Sequence, residues 1–202
     1  FRSAVIERRG ARTALIATEG FRDTLDIATE SRYDQYDLTI EKPKPLVPRA
    51  LRYTVPERLD VHGNVRLALD EKAVAALAPE LKKAGVESVA VAFMHSYVNQ
   101  AHERKTRDIL KAAMPDLWVT LSSEVCPEVR EYERTSTAVA NAYVQPLMDS
   151  YLARMQAALE VEKFAGTVYL VTSGGGLTAI ETARRYPVRL VESGPAGGAD
   201  RK

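Results

Sequence analysis

The sequence predicts an α/β protein with a largely parallel sheet, and three observations carry that reading. Apolar runs of strand length alternate with amphipathic stretches of helix length. The links between them are short, as they are where helices cover parallel strands. Of 202 residues, 46% are hydrophobic and 27% charged, which is ordinary globular composition with ample material for a buried core.

The elements follow in order. Thr13–Thr18 (Thr-Ala-Leu-Ile-Ala-Thr) reads as a short buried strand ended by Glu19-Gly20. Residues 34–56 carry Pro43, Pro45, Pro48 and Pro56, which suits an extended excursion across a surface. Val61-His-Gly-Asn-Val65 has the chemistry of a tight hairpin turn. Asp70 is placed to cap a helix running to Ala84, with Val74, Leu77 and Leu81 on one face and Gly85 closing it. Ser88–Met94 is a second buried strand. Asn99–Ala113 is an amphipathic helix with Ile109 and Leu110 inward, stopped before Pro115, and Leu117–Leu121 is a third strand. Tyr132–Val144 is expected to be one helix, with Pro146 opening a separate one that carries Leu147, Tyr151, Leu152, Met155 and Leu159. Thr167–Val171 reads as a strand, followed by Ser173-Gly-Gly-Gly176 and a helix opened by the capping box Thr178–Glu181. Val188–Val191 reads as a last short strand before Ser193-Gly-Pro-Ala-Gly-Gly198.

Charge and composition exclude several function classes. Twenty-eight Lys and Arg against 27 Asp and Glu leave a net charge of +1, which argues against a nucleic-acid surface built on bulk charge. No apolar run exceeds the six residues of Val89–Met94, too short to span a membrane, and no signal-peptide pattern opens the chain. Cys126 is the sole cysteine, so no internal disulfide forms and a cytoplasmic protein is expected. The first Met is Met94, and the chain stops just after a Gly-rich turn. An internal piece of a longer polypeptide is therefore expected.

Four segments are candidates for chemistry. Ser173–Gly176 after a strand suits either close backbone approach of a ligand or a plain turn, and spacing alone does not decide. Ser193–Gly198 matches neither the Walker loop nor the GxGxxG dinucleotide pattern. Ser173 lies outside a GxSxG context, Cys126 reads as a small hydrophobe, and His95 and His102 do not imply a metal site. Glu128–Thr137 packs three carboxylates, two arginines and three hydroxyls into ten residues. By composition it is a solvated helix start, with Thr137 and Asn141 sharing a face with Glu133 or Arg134.

Taken together, Glu7–Ala28, Tyr36–Leu38, Lys44–Arg49, Val55–Asp60, Val91–Glu103, Arg130–Pro146 and Glu192–Gly198 resemble the hydantoinase A / 5-oxoprolinase family. The order matches the family's, and Arg-Glu-Tyr-Glu-Arg-Thr-Ser-Thr and Ser-Gly-Pro-Ala-Gly-Gly are the most specific stretches. The resemblance implies a lobe of the actin/hexokinase/Hsp70-type (ribonuclease H-like) ATPase fold. It implies ATP-dependent opening of a cyclic amide such as a hydantoin or 5-oxoproline, with Mg²⁺ bound mostly by residues outside this chain, and a hydantoinase B-type second subunit or domain. Arg32–Asp37 leans toward the hydantoinase side. Residues 1–132 would end the family's N-terminal region and 133–202 would begin its hydantoinase/oxoprolinase domain. Gly174, Gly175, Ser193, Gly194, Gly197 and Gly198 are expected near the nucleotide or substrate, with Glu133, Arg134, Thr137 and Asn141 as further substrate contacts. No catalytic residue is assigned. The family's Asp-x-Gly-Gly-Thr phosphate turns are absent from this sequence, and Ser173-Gly-Gly-Gly176 replaces the family's Ser-Asn/Asp-Gly-Gly. The chain alone is therefore expected to be inactive. The alternatives are a subunit of an acetone- or acetophenone-type carboxylase and a non-catalytic actin-like scaffold.

Overall fold

The computed structural model describes residues 2–29, 36, 39, 43–191 and 193. In chain order these form α1 (Arg2–Ile6), β1 (Thr13–Thr18), α2 (Thr24–Ile27), β2 (Arg52–Val55), β3 (Arg58–Leu59), β4 (Val65–Leu67), α3 (Glu71–Lys83), β5 (Ser88–Ala92), α4 (Ala101–Ala113) and β6 (Trp118–Leu121). After them come α5 (Ser122–Val125), α6 (Glu131–Val161), β7 (Tyr169–Val171), β8 (Leu177–Ala179) and α7 (Ile180–Arg185). The chain divides into two compact units, one spanning 12–139 and one combining 1–11 with 140–202.

The unit 12–139 is the α/β unit the sequence predicts. Its sheet has the order β2-β1-β5-β6, every pair parallel. β1 and β5 lie in the middle and are buried along their whole length, so both read as unbroken apolar runs rather than alternating ones. α3 packs on α4 and β2. Its N-cap is as expected: Asp70 accepts the Ala73 N–H at 2.9 Å, and Gly85 takes φ +65° just past the helix end. In α4 Leu110 is fully buried, whereas Ile109 is only half-buried. The Pro-rich stretch differs from expectation by ending in a strand. Tyr53 pairs with Ile16 and Val55 with Thr18, and the fully buried Val55 outweighs the neighbouring prolines.

The β3–β4 hairpin follows. Asp60 accepts the N–H groups of His62 and Asn64 at 2.9 Å each, and the Asn64 amide at 3.1 Å. Desolvation pushes the Asp60 carboxyl up, but those hydrogen bonds and the Arg66 charge outweigh it and bring its pKa down to about 2.

The other unit corrects four expectations. Pro146 does not open a new helix; it sits inside α6, a single helix from Glu131 to Val161. Proline removes the hydrogen bond to the Ala142 carbonyl. Burial of Ala142, Val144, Met148 and Leu152 around that gap holds the helix continuous. Ser173–Gly176 is not a strand-to-helix turn. It joins β7 to β8 as an antiparallel hairpin, with Tyr169 opposite Ala179 and Val171 opposite Leu177. Thr178 consequently lies in a strand and makes no capping box; α7 starts at Ile180 behind Ala179, which offers no side-chain cap. Residues 188–191 are not a strand either, because Pro187–Leu190 form a 3₁₀ turn with Pro187 at its start.

Candidate ligand site at the carboxyl edge of the sheet

β1 and β5 are neighbours, but the chain leaves them in opposite directions, from β1 to β2 on one side and from β5 to β6 on the other. Such a reversal opens a crevice beyond the carboxyl ends of the two strands, where open parallel sheets hold ligands. The residues gathered there are mostly polar and mostly buried.

Thr18, at the end of β1, donates its hydroxyl to Glu57 Oε1 and accepts the Met94 N–H at 3.0 Å. The second oxygen of Glu57, a residue only 2% exposed, lies 2.8 Å from His102 Nδ1 on α4. Beside this chain, the fully buried Glu103 collects four donors. One oxygen accepts the Phe93 N–H at 3.0 Å and the Ser122 hydroxyl at 2.6 Å; the other accepts the Ser123 N–H at 3.0 Å and its hydroxyl at 2.6 Å. Ser96 Oγ stands 3.2 Å from Ser122 Oγ. A carboxylate so placed joins the ends of β5 and β6 to α4, and no donor among these four is left unpaired.

His95 lies three residues past the end of β5. Its backbone takes φ +56°, the left-handed region that costs a non-glycine residue on the order of 1 kcal/mol. Its Nδ1 is buried with no hydrogen-bond partner, and its ring meets Tyr97 edge-on at 6.0 Å. The Arg134 guanidinium stands 5.5 Å above the Tyr97 ring.

The start of α6 is held by Arg134, not solvated throughout as composition suggests. Arg134 is 1% exposed and donates to the carbonyls of Glu128 at 2.7 Å, Val129 at 3.3 Å and Phe93 at 3.0 Å. It thus fixes the segment before α6 against the end of β5. Thr137 hydrogen-bonds the Cys126 thiol. Burial pushes that thiol up and the Glu128 charge adds to the effect, which makes Cys126 a poor nucleophile. Glu133 pairs with the exposed Arg130 at 3.5 Å and lines an open pocket of about 380 Å³ with Phe21 and Tyr132.

The remaining expected site residues fall in the other unit. Asn141 is buried; it donates to the Arg185 carbonyl and accepts the Val188 N–H, each at 3.2 Å. Gly174 and Gly175 are exposed at the β7–β8 turn, with nothing within 4 Å of where a Cβ would stand. Gly175 has φ +81°, a conformation that favours glycine there with or without a ligand. Ser193 lines an open pocket of about 250 Å³ with Tyr151, Leu152 and Leu190. Gly194, Gly197 and Gly198, and all of Arg32–Asp37 but Tyr36, lie outside the described residues. Sequence reasoning passed over Glu57 and Glu103 as members of a network. No local signal marked them, since Glu57 stands between Pro56 and Arg58 and Glu103 between His102 and Arg104.

Comparison with known proteins fits this picture. Residues 2–114 match the family model for the hydantoinase/oxoprolinase N-terminal region, more than half of the chain, and residues 134–200 match the hydantoinase/oxoprolinase model. The chain belongs to the hydantoinase/oxoprolinase family. Among its relatives, an uncharacterized protein of Methanocaldococcus jannaschii is 44% identical over 92% of this chain and 27% of its own length. The caprolactamase subunit alpha of Pseudomonas jessenii is 36% identical over 96% of this chain and 28% of its own. The crystal structure of that ATP-dependent caprolactamase superposes with a TM-score of 0.89 over 96% of this chain and 28% of that one. A nucleotide-free acetone carboxylase structure gives 0.87 at 27% identity, over 98% and 29%. The chain thus spans little more than a quarter of these hydantoinase/oxoprolinase relatives, and its α/β fold is that of an actin-like ATPase class.

Proposed function

We propose that this chain is part of an ATP-dependent hydrolase that opens a cyclic amide, of the hydantoinase or 5-oxoprolinase type. The observation that carries the reading is the likeness to caprolactamase along 96% of the chain, since a lactam is a cyclic amide. Residues 1–132 end the N-terminal region and 133–202 begin the next domain. ATP would phosphorylate the amide oxygen with release of ADP, making the ring carbon open to attack by water; the C–N bond then breaks with the ring nitrogen as leaving group, a second water releases the phosphate, and Mg²⁺, where bound, would neutralise charge on the transferred phosphoryl. The Mg²⁺ ligands lie mostly outside this chain, and this part contributes positioning. Glu133 faces substrate, Arg134 and Thr137 hold the segment before α6 that presents it, and Asn141 is a further substrate contact. Gly174, Gly175 and Ser193, with Gly194, Gly197 and Gly198, lie near the nucleotide or substrate. A hydantoinase B-type subunit completes the enzyme, which works in the cytoplasm; among the described residues no helix is long and apolar enough to cross a membrane.

A second reading, a subunit of a ketone carboxylase, is supported by the likeness to acetone carboxylase. One assay separates them. The full-length protein with its partner subunit should hydrolyse ATP when given a lactam, a hydantoin or 5-oxoproline, without bicarbonate. Stimulation only by a ketone together with bicarbonate would establish the carboxylase instead, and no stimulation by either would leave a scaffold. The 202-residue chain alone, which has no Asp-x-Gly-Gly-Thr turn, should hydrolyse no ATP above background.

A further inference from the structure

The carboxylates of the sheet's carboxyl edge are spent on the edge itself. Both oxygens of Glu57 and both of Glu103 hold partners, and Thr18 serves Glu57 and the Met94 N–H together. His95 stands apart, because its Nδ1 is buried with no hydrogen-bond partner. Its backbone, by contrast, is anchored on both sides. The His95 carbonyl accepts the N–H groups of Val98 at 3.0 Å and Asn99 at 3.4 Å. Met94 before it is tied to Thr18, and the buried Ser96 after it is tied to Ser122 and to the Phe93 carbonyl.

Those anchors hold His95 at φ +56°, a conformation that Asn or Gly adopts at less cost. Folding alone disfavours this residue twice, once for its backbone and once for its unpaired nitrogen. Such features gather where a ligand completes the structure. The buried nitrogen also assigns the tautomer. Neutral imidazole carries one hydrogen, and on Nδ1 it would be an enclosed N–H with no acceptor, so it belongs on Nε2. The ring is restrained edge-on against Tyr97 at 6.0 Å, with the Arg134 guanidinium 5.5 Å above Tyr97. His95 is only half-buried, and it lies where the chain leaves β1 and β5 in opposite directions, the crevice in which open sheets hold ligands.

We infer that His95 is a ligand contact of this edge, donating its Nε2–H to an acceptor oxygen, either an amide carbonyl or a phosphoryl oxygen. In this tautomer the ring offers a ligand a donor and no acceptor, so a ligand N–H finds no partner in it. The choice of probes rests on the proposed function; the tautomer and the contact do not.

Titration calorimetry of the full-length protein with its partner subunit tests this, with ε-caprolactam and ATP as separate probes. Asparagine suits the left-handed backbone but reaches only as far as Nδ1, so His95→Asn removes the Nε2 donor. It should weaken one of the two probes at least about tenfold, the size of one hydrogen bond lost from a desolvated site, while Tm stays level or rises. His95→Gln, whose amide reaches as far as Nε2, should stay within about threefold of the parent. Loss of lactam affinity identifies the amide carbonyl, and loss of ATP affinity the phosphoryl oxygen. Unchanged affinities in His95→Asn, a His95→Gln no better than His95→Asn, or binding of neither probe to the parent would overturn the inference. Weakening of both probes alike with a lowered Tm marks a purely structural residue and would overturn it too. Ring nitrogen NMR at about pH 8, where an ordinary imidazole is neutral, should find the hydrogen on Nε2; a hydrogen on Nδ1 refutes the assignment. Turnover is read separately. Unchanged affinities beside intact cyclic-amide turnover refute this contact alone, whereas a tenfold loss for ATP beside no cyclic-amide turnover refutes the activity and keeps the contact.

Discussion

Two loops of this chain invite the same guess and turn out differently. The β7–β8 turn holds three consecutive glycines and is exposed, its hydrogen bonds running within the hairpin and to the Arg189 carbonyl. The segments after β1 and β5 hold one glycine between them, yet Thr18, Glu57, His102, Glu103 and Arg134 interlock there. A run of glycines reports the backbone conformations a turn needs. A set of buried, mutually satisfied polar groups reports that a strand end is being held in one arrangement, which is what a ligand site requires.

That contrast can be broken in order of expected effect. Glu103→Ala strips four donors of their acceptor, two of them backbone N–H groups. It should cost about 3–5 kcal/mol of stability by urea denaturation, enough to abolish native structure if the chain is of ordinary marginal stability. Arg134→Lys keeps the charge but cannot reach three carbonyls from one ammonium. A loss of about 2 kcal/mol is expected, with Tyr97 and Tyr132 resonances displaced. Gly175→Ala, at φ +81°, should cost about 1 kcal/mol, whereas Gly174→Ala should stay within about 0.5 kcal/mol. If Gly174→Ala proved as costly as Arg134→Lys, the hairpin would be doing more than turning the chain.

The smallest effect is one of pH. With its pKa lowered to about 2, Asp60 stays ionised in the folded hairpin after an unfolded Asp has begun to protonate near 3.9. Its contribution is therefore complete above about pH 4 and is lost as pH falls through about 2. Amide shifts of His62 and Asn64 should titrate near pH 2 in the native protein, and should not respond in Asp60→Asn.

The parallel sheet was legible because its central strands are unbroken apolar runs, Thr13–Thr18 and Ser88–Ala92. The caps at Asp70 and Gly85 were legible because their signals are local. β2 was hidden behind prolines, since its burial comes from β1, which lies distant in sequence. Pro146 misled for a related reason: local chemistry favours a helix start there, and packing by Ala142, Val144 and Leu152 decides otherwise. The hairpin at Ser173–Gly176 was missed because Leu177–Ala179 is too short to show a period. Of the candidate site, the motif singles out Glu133 as an expected substrate contact, while the Glu57 and Glu103 partnerships depend on strand ends meeting in space.

The sheet order also governs how the chain folds as it is made. β1 lies between β2 and β5, so a six-residue apolar strand synthesised early waits for residues 52–55 and 88–92 before either edge is paired. Contacts that span so much sequence slow folding, and an unpaired apolar strand is a template for pairing with another chain. This part of the nascent chain is thus open to wrong pairing until β5 emerges. Synonymous slowing of translation just ahead of Ser88 would lengthen that window.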